Sequence, residues 1–104
     1  MIRHIVLVKF KPQTAESEIT AILDGLAALV SALPGARGFS GGRSESPEGM
    51  ERGYTHGFVI DFDGWADLET YATDATHRAL GARLAENAVD GRNGILVMDI
   101  DIAG

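Results

Sequence analysis

The chain contains no cysteine among its 104 residues. Disulfide bonds, thiolate metal sites and cysteine nucleophiles are therefore excluded. Proline is scarce, with three residues, and no apolar run is long enough for a membrane helix or for the apolar region of a secretion signal. We therefore expect a cytoplasmic protein that is stabilised by side-chain packing.

Basic residues are in the minority, with nine Lys and Arg against fifteen Asp and Glu and a formal charge of −6. Such a balance repels phosphate backbones and anionic lipid surfaces, so we expect neither nucleic acid nor a membrane as a partner. The apolar share of 45% and the charged share of 23% are ordinary for a globular protein. The length predicts one domain over residues 1–104.

Apolar periodicity predicts two kinds of element in the order β-α-β-β-α-β. Alternating residues predict strands over 2–10, 54–62 and 95–102, and a weaker strand, interrupted by glycines, over 36–44. The first strand places Ile2, His4, Val6, Val8 and Phe10 on one face. Helical spacing predicts a first helix with Thr14 as a candidate N-cap, ended by Pro34-Gly35.

The second helical region is predicted in two pieces. It opens at Asp63 or Gly64, breaks near Thr73 and Asp74, and continues to about Ala85 with Asp74 as the cap. Trp65, Leu68, Tyr71 and Ala72 fall on one face of the first piece. This pattern favours Trp65 and Tyr71 as core residues over a ligand cage.

The predicted order defines an α+β, ferredoxin-like fold, with four antiparallel strands and both helices on one face of the sheet. Apolar residues also occupy the other face of the strands, and a second layer must bury that face from water. A second copy of the chain supplies that layer most simply, so we predict a symmetric homodimer.

Several segments carry a resemblance to a known family: HIVLVKFK at residues 4–11, LPG at 33–35, GYTHGF at 53–58, and the pair Tyr71 and His77. In order and spacing they resemble the stress-responsive A/B barrel domain, also called Dabb, over nearly the whole chain. The resemblance implies a dimeric α+β barrel. Most members have no assigned chemistry, but a plant member similar in these motifs is a polyketide cyclase that closes an aromatic ring by an aldol reaction.

The resemblance also implies site residues. In the cyclase, the positions that match His77 and Tyr71 act on the substrate, and His4 and His56 coincide with family histidines. We therefore take His77, Tyr71 and His4 as catalytic candidates and His56, Tyr54 and Phe58 as binding candidates. The chain departs from the family where Asp74-Ala75 replaces the usual His-Pro pair.

Each histidine also has a plain structural interpretation. His77 is suited to proton transfer near neutral pH with Tyr71 as hydroxyl partner, but Asp74 can instead cap the helix and bind the ring. His4 and His56 lie on apolar strand faces, where each needs a hydrogen-bond partner, and histidine pairs often satisfy each other. For His56 the structural interpretation is favoured.

No cofactor or metal is expected. Three histidines and Asp74 show no compact ligand spacing, and the glycines match no phosphate or dinucleotide fingerprint. Three functions stay open: an enzyme with His77 as acid or base and Tyr71 beside a carbonyl substrate, a binding protein for a small hydrophobic molecule, or a stress-associated dimer with a filled interior. The first two, joined as a lyase-like or small-molecule-binding dimer, rank above the third.

Overall fold

The computed structural model describes residues 1–103 and contains one four-stranded antiparallel sheet. The elements are β1 (Ile2–Val8), α1 (Glu16–Ala32), β2 (Ala36–Arg43), β3 (His56–Phe62), α2 (Trp65–Thr73), α3 (Ala75–Asn87), a 3₁₀ turn (Gly91–Gly94) and β4 (Ile95–Asp101). The strands lie in the order β2-β3-β1-β4. This is the predicted ferredoxin-like fold, with the second helical region divided into α2 and α3. None of the helices in residues 1–103 combines the length and apolarity required to cross a membrane.

The core lies between the inner face of the sheet and the helices. β1 occupies a central position and pairs with β3 and β4, so that Val6 stands opposite Phe58 and Val97. The predicted alternation of β1 is confirmed, because Ile2, His4, Val6 and Val8 are buried. α1 packs an apolar stripe onto this face through Ile19, Ile22, Leu23, Leu26, Leu29 and Val30.

The glycine-rich strand β2 is formed and bulged, as its composition predicts. Its register with β3 shifts between Arg37 and Ser40, where Gly38 has a φ of +67°. A Cβ atom at Gly41 would lie 2.7 Å from the Cβ of Phe58. Glycine therefore allows the two strands to approach each other closely at this point.

Two predicted details of the helices are wrong. α1 begins after Ala15, which makes no side-chain cap, and the Thr14 hydroxyl instead lies 3.3 Å from the Asn87 side-chain oxygen. Trp65 is 56% exposed and does not belong to the core. Trp65 is the first residue of α2, and the residue of this helix that is buried is Tyr71, further along the chain. Helical periodicity alone therefore misplaced Trp65.

The sheet face away from the helices, here called the outer face, is apolar and uncovered in the single chain. It carries Ile5, Leu7, Val59, Leu96, Met98 and Ile100 at alternate positions of β1, β3 and β4. Among these, Leu96 is 49% and Met98 is 60% exposed. A contiguous apolar surface of this kind is typical of an interface rather than of free protein surface.

Candidate functional site

The break between α2 and α3 brings Tyr71 and His77 together. In a continuous helix, residues six positions apart point in directions about 120° apart around the helix axis. Asp74 has extended backbone angles, with φ −64° and ψ 136°, and interrupts the helix between them. The ring centroids of Tyr71 and His77 are consequently only 4.2 Å apart.

Asp74 stabilises this break as the N-cap of α3. Its carboxylate accepts hydrogen bonds from the backbone N–H groups of Thr76 at 2.8 Å and His77 at 3.1 Å. The predicted cap is thus confirmed, but the alternative in which Asp74 also binds the His77 ring is wrong. The ring Nδ1 instead lies 3.2 Å from the Ala72 carbonyl oxygen.

Replacing Asp74 by alanine is expected to lower the free energy of unfolding by about 1 kcal/mol, because two backbone donors lose their acceptor. Urea unfolding measures the change. Asp24→Ala is the control, since Asp24 is exposed on α1 and surface substitutions change stability by less than about 0.5 kcal/mol. Equal effects in the two variants would show that the cap does not hold the break.

A cleft of about 870 Å³ opens beside the helix break, between the inner face of the sheet and the helices α2 and α3. Its wall includes His4, His77 and Asp99 together with apolar residues such as Val6, Phe58 and Val97. Val97 is 58% exposed although it lies on the inner face, because the helices leave the β4 side of the sheet open. The chain therefore has space for a small molecule next to two histidines.

His4 is held by Asp99 on the neighbouring strand. The two residues stand opposite each other in the β1–β4 register, and their Nδ1 and Oδ1 atoms are 2.6 Å apart. A carboxylate only accepts, so Nδ1 of His4 carries the hydrogen and donates a hydrogen bond to Asp99. When His4 is neutral, its Nε2 is left as a hydrogen-bond acceptor.

His77 is oriented in the same way, by a backbone acceptor. The Ala72 carbonyl only accepts, so Nδ1 of His77 donates to it. Nε2 of neutral His77 is then a free acceptor and a potential base. Burial lowers the pKa of His77 below its ordinary value, and the nearby His4 adds to this effect, while the Ala72 carbonyl and Asp74 oppose it. His77 is thus favoured in its neutral form.

Tyr71 lies behind these two histidines and is 1% exposed. Its ring centroid is 5.7 Å from that of His4 and 5.2 Å from that of Phe62. Within residues 1–103 its buried hydroxyl has no hydrogen-bond partner. Burial raises the pKa of Tyr71, so the phenol stays protonated and can donate a hydrogen bond at neutral pH.

The three binding candidates do not all line the same cleft. Phe58 lines the cleft and stacks on Phe39, with ring centroids 5.6 Å apart. His56 and Tyr54 instead line a second cleft of about 700 Å³, which reaches the outer face at Leu7. The structure therefore brings together His4, Tyr71, His77 and Phe58, and it places His56 and Tyr54 elsewhere.

His4 and His56 do not satisfy each other, so that structural interpretation of the two histidines is wrong. The Nε2 of His56 lies 3.2 Å from both carboxylate oxygens of Glu16, and its Nδ1 is 2.9 Å from the Thr55 hydroxyl. Each of these two histidines is thus paired with a separate carboxylate. Strand register and the position of α1 decide these pairs, and neither was visible in the spacing of histidines along the chain.

Asp99 is the site residue that the sequence analysis missed. A signal was present in the sequence. Asp99 is a charged residue on the same face of β4 as the apolar residues Ile95 and Val97. Only the register identifies His4 as its partner. In the part of the chain that the structure describes, no three His, Asp or Glu side chains come together as metal ligands.

The fold and the cleft define a small ferredoxin-like α+β protein with a histidine-bearing pocket between sheet and helices. The sequence model of the stress responsive A/B barrel domain matches residues 2–102. The chain therefore belongs to the stress responsive A/B barrel family.

One relative carries the same domain name, and two further proteins are similar over most of the chain. A stress-response A/B barrel domain-containing protein of Arabidopsis thaliana is 31% identical over 102 residues, which cover 97% of this chain and 86% of that protein. Olivetolic acid cyclase of Cannabis sativa is 22% identical over 80 residues, covering 77% and 79%. A dimeric ferredoxin-like protein of unknown function from Jannaschia sp. superimposes with a TM-score of 0.90 at 30% identity, covering 97% and 98%.

Proposed function

We propose that this protein is a homodimer that binds a small hydrophobic or carbonyl-containing molecule in the cleft and performs lyase- or cyclase-type acid–base chemistry on it. One observation carries the proposal. His4 and His77 line the same cleft, and the Nδ1 of each ring donates to a fixed acceptor, which leaves both Nε2 atoms as acceptors. Two oriented bases beside an apolar wall suit proton transfer on a bound carbonyl compound.

In this proposal His77 is the principal acid or base. Its lowered pKa keeps Nε2 unprotonated at neutral pH, so that it can remove a proton next to a carbonyl group and later return it. His4, oriented by Asp99, is the second acid–base group. Orientation by a hydrogen-bonded carboxylate holds an imidazole in one tautomer.

Tyr71 is proposed as the donor to the developing oxyanion. Its hydroxyl is protonated, buried and unpaired within residues 1–103, and a substrate oxygen would supply the missing acceptor. The His77 ring lies over the Tyr71 ring and is held by a single hydrogen bond to the Ala72 carbonyl. Displacement of that ring by a ligand would open a path to the hydroxyl.

The homodimer is proposed on the apolar outer face. A symmetric pair of chains would bury Leu7, Leu96, Met98 and Ile100 of both copies in one interface. The similar Jannaschia protein is described as dimeric. We further propose that residues 1–104 act as one domain, and the cytoplasmic location stays a prediction.

The presence of the cleft favours this proposal over a dimer with a filled interior. The similarity to a cyclase supports the enzymatic version. A binding protein without chemistry would use the same cleft and Phe58 but would not need the two histidines. The response of His77 to a bound ligand therefore distinguishes an enzyme from a binding protein.

NMR titration of the three histidine rings provides the test. His77 is expected to titrate below the ordinary histidine value of 6.5 because its charged form is partly desolvated. Since the unfolded chain binds this proton more tightly, stability should fall as the pH drops from about 6.5 towards the lower folded pKa. Substitution of His77 by glutamine should remove this part of the pH dependence.

The ligand arm of the titration uses small aromatic ketones and phenols. Signals of His77 and His4 are expected to shift on binding, while His56 serves as an internal control because it lines the other cleft. If His77 gives no response to any ligand and titrates like a free histidine, the acid–base proposal is wrong. Shifts of His77 without turnover would support the binding protein.

A further inference from the structure

The wall of the cleft carries more positive than negative side chains, whereas the whole chain is acidic. The protein has a net charge of −6, yet the charged residues that line the cleft are Arg78, Arg92 and Asp99. The Asp99 carboxylate already accepts a hydrogen bond from His4. The two arginines therefore make the cleft locally positive in an otherwise acidic protein.

Among residues 1–103, neither arginine has an internal counter-ion. Arg78 lies in the first turn of α3, next to His77, and Arg92 lies in the 3₁₀ turn that precedes β4. Within residues 1–103 the arginines that form ion pairs are Arg3, Arg37, Arg43 and Arg83. Arg78 and Arg92 are absent from these pairs, so their guanidinium groups are available to an external anion.

The rest of the wall defines the remainder of the ligand. Val6, Phe58, Leu68, Leu84, Ile95 and Val97 supply an apolar surface. An apolar wall with a few polar groups is the usual composition of a small-molecule site. The guanidinium fork pairs with the oxygens of carboxylate and phosphate groups, often through two parallel hydrogen bonds.

We propose that the molecule bound in the cleft carries an anionic oxygen group, a carboxylate or a phosphate, which Arg78 and Arg92 hold while its apolar part lies against the inner face of the sheet. This inference rests on the proposed function and adds the class of ligand to it. Its anionic group would distinguish the natural ligand from neutral apolar compounds of the same size.

The test uses a matched set of probes: 4-propylbenzoate, 4-propylphenyl phosphate and the neutral 4-propylbenzamide. Isothermal titration gives their affinities, and the His77 ring signal reports whether they occupy the cleft. At least one anion is expected to bind about tenfold more tightly than the amide at low salt, because the guanidinium groups gain a charged partner. Which anion binds better distinguishes a carboxylate from a phosphate ligand.

Arg78→Gln and Arg92→Gln are each expected to weaken binding of the preferred anion about two- to fivefold, as for solvent-exposed ion pairs, and to leave the amide unchanged. Arg83→Gln is the matched control, since Arg83 is on the same helix as Arg78 but pairs with Glu18. Equal binding of anions and amide, or equal losses in all three variants, overturns this inference alone. Failure of every probe to bind overturns the proposed function and this inference with it.

Discussion

Replacing Met98 by aspartate is expected to convert the proposed homodimer into monomers. Met98 is 60% exposed on the outer face and stands opposite Ile5 in the β1–β4 register. A symmetric interface contains every substitution twice, so two unpaired carboxylates would have to be buried. Because each costs at least about 2 kcal/mol, the dissociation constant should rise by roughly 1,000-fold.

Sedimentation velocity over a range of concentrations measures this change. Trp65→Asp is the control, since Trp65 has a similar exposure of 56% but lies on α2, at the helical side of the sheet. It should remain dimeric. If the Met98→Asp variant dimerises as strongly as the wild type, the outer face is not the interface. If the wild type is itself a monomer, the proposed homodimer is wrong.

Two substitutions at Tyr71 are expected to change stability in opposite directions. Tyr71→Ala should lower the free energy of unfolding by about 3–5 kcal/mol, because it removes a ring that is 1% exposed and leaves a cavity. Tyr71→Phe keeps the ring and deletes a buried hydroxyl without a partner in residues 1–103. It should therefore raise stability by about 1 kcal/mol.

The same Tyr71→Phe variant should lose any activity that depends on an oxyanion donor, even though it is more stable. A gain in stability together with a loss of function would indicate that the hydroxyl is retained for a ligand. Tyr54→Phe is the control, because the only other tyrosine of the chain lines the second cleft. A loss of stability above 1 kcal/mol in Tyr71→Phe would instead show that the hydroxyl has a structural partner.

Much of the fold followed from local patterns. Alternation along β1 and β3 identified the buried face, because successive strand residues point to opposite sides of the sheet whatever their partners are. The N-cap at Asp74 was predictable for a similar reason, since a capping carboxylate binds backbone groups two and three residues away. Both features depend on neighbours along the chain.

The partners of the histidines were not predictable in this way. His4 and Asp99 are 95 positions apart, and only the antiparallel register of β1 and β4 places them 2.6 Å from each other. His56 likewise finds Glu16 because α1 begins above the start of β3. Trp65 was misplaced because helical periodicity gives the direction of a side chain but not where the neighbouring sheet ends.

By itself the sequence determined the order of the elements, the buried strand faces and the family, since these depend on residue type and spacing. The tertiary structure alone decided that His4 pairs with Asp99, that His4 and His77 share a cleft, and that His56 and Tyr54 lie apart from it. The physical reason is that strand register and the positions of the helices on the sheet are set by packing over the whole core. Side chains distant in sequence meet only when that packing is complete.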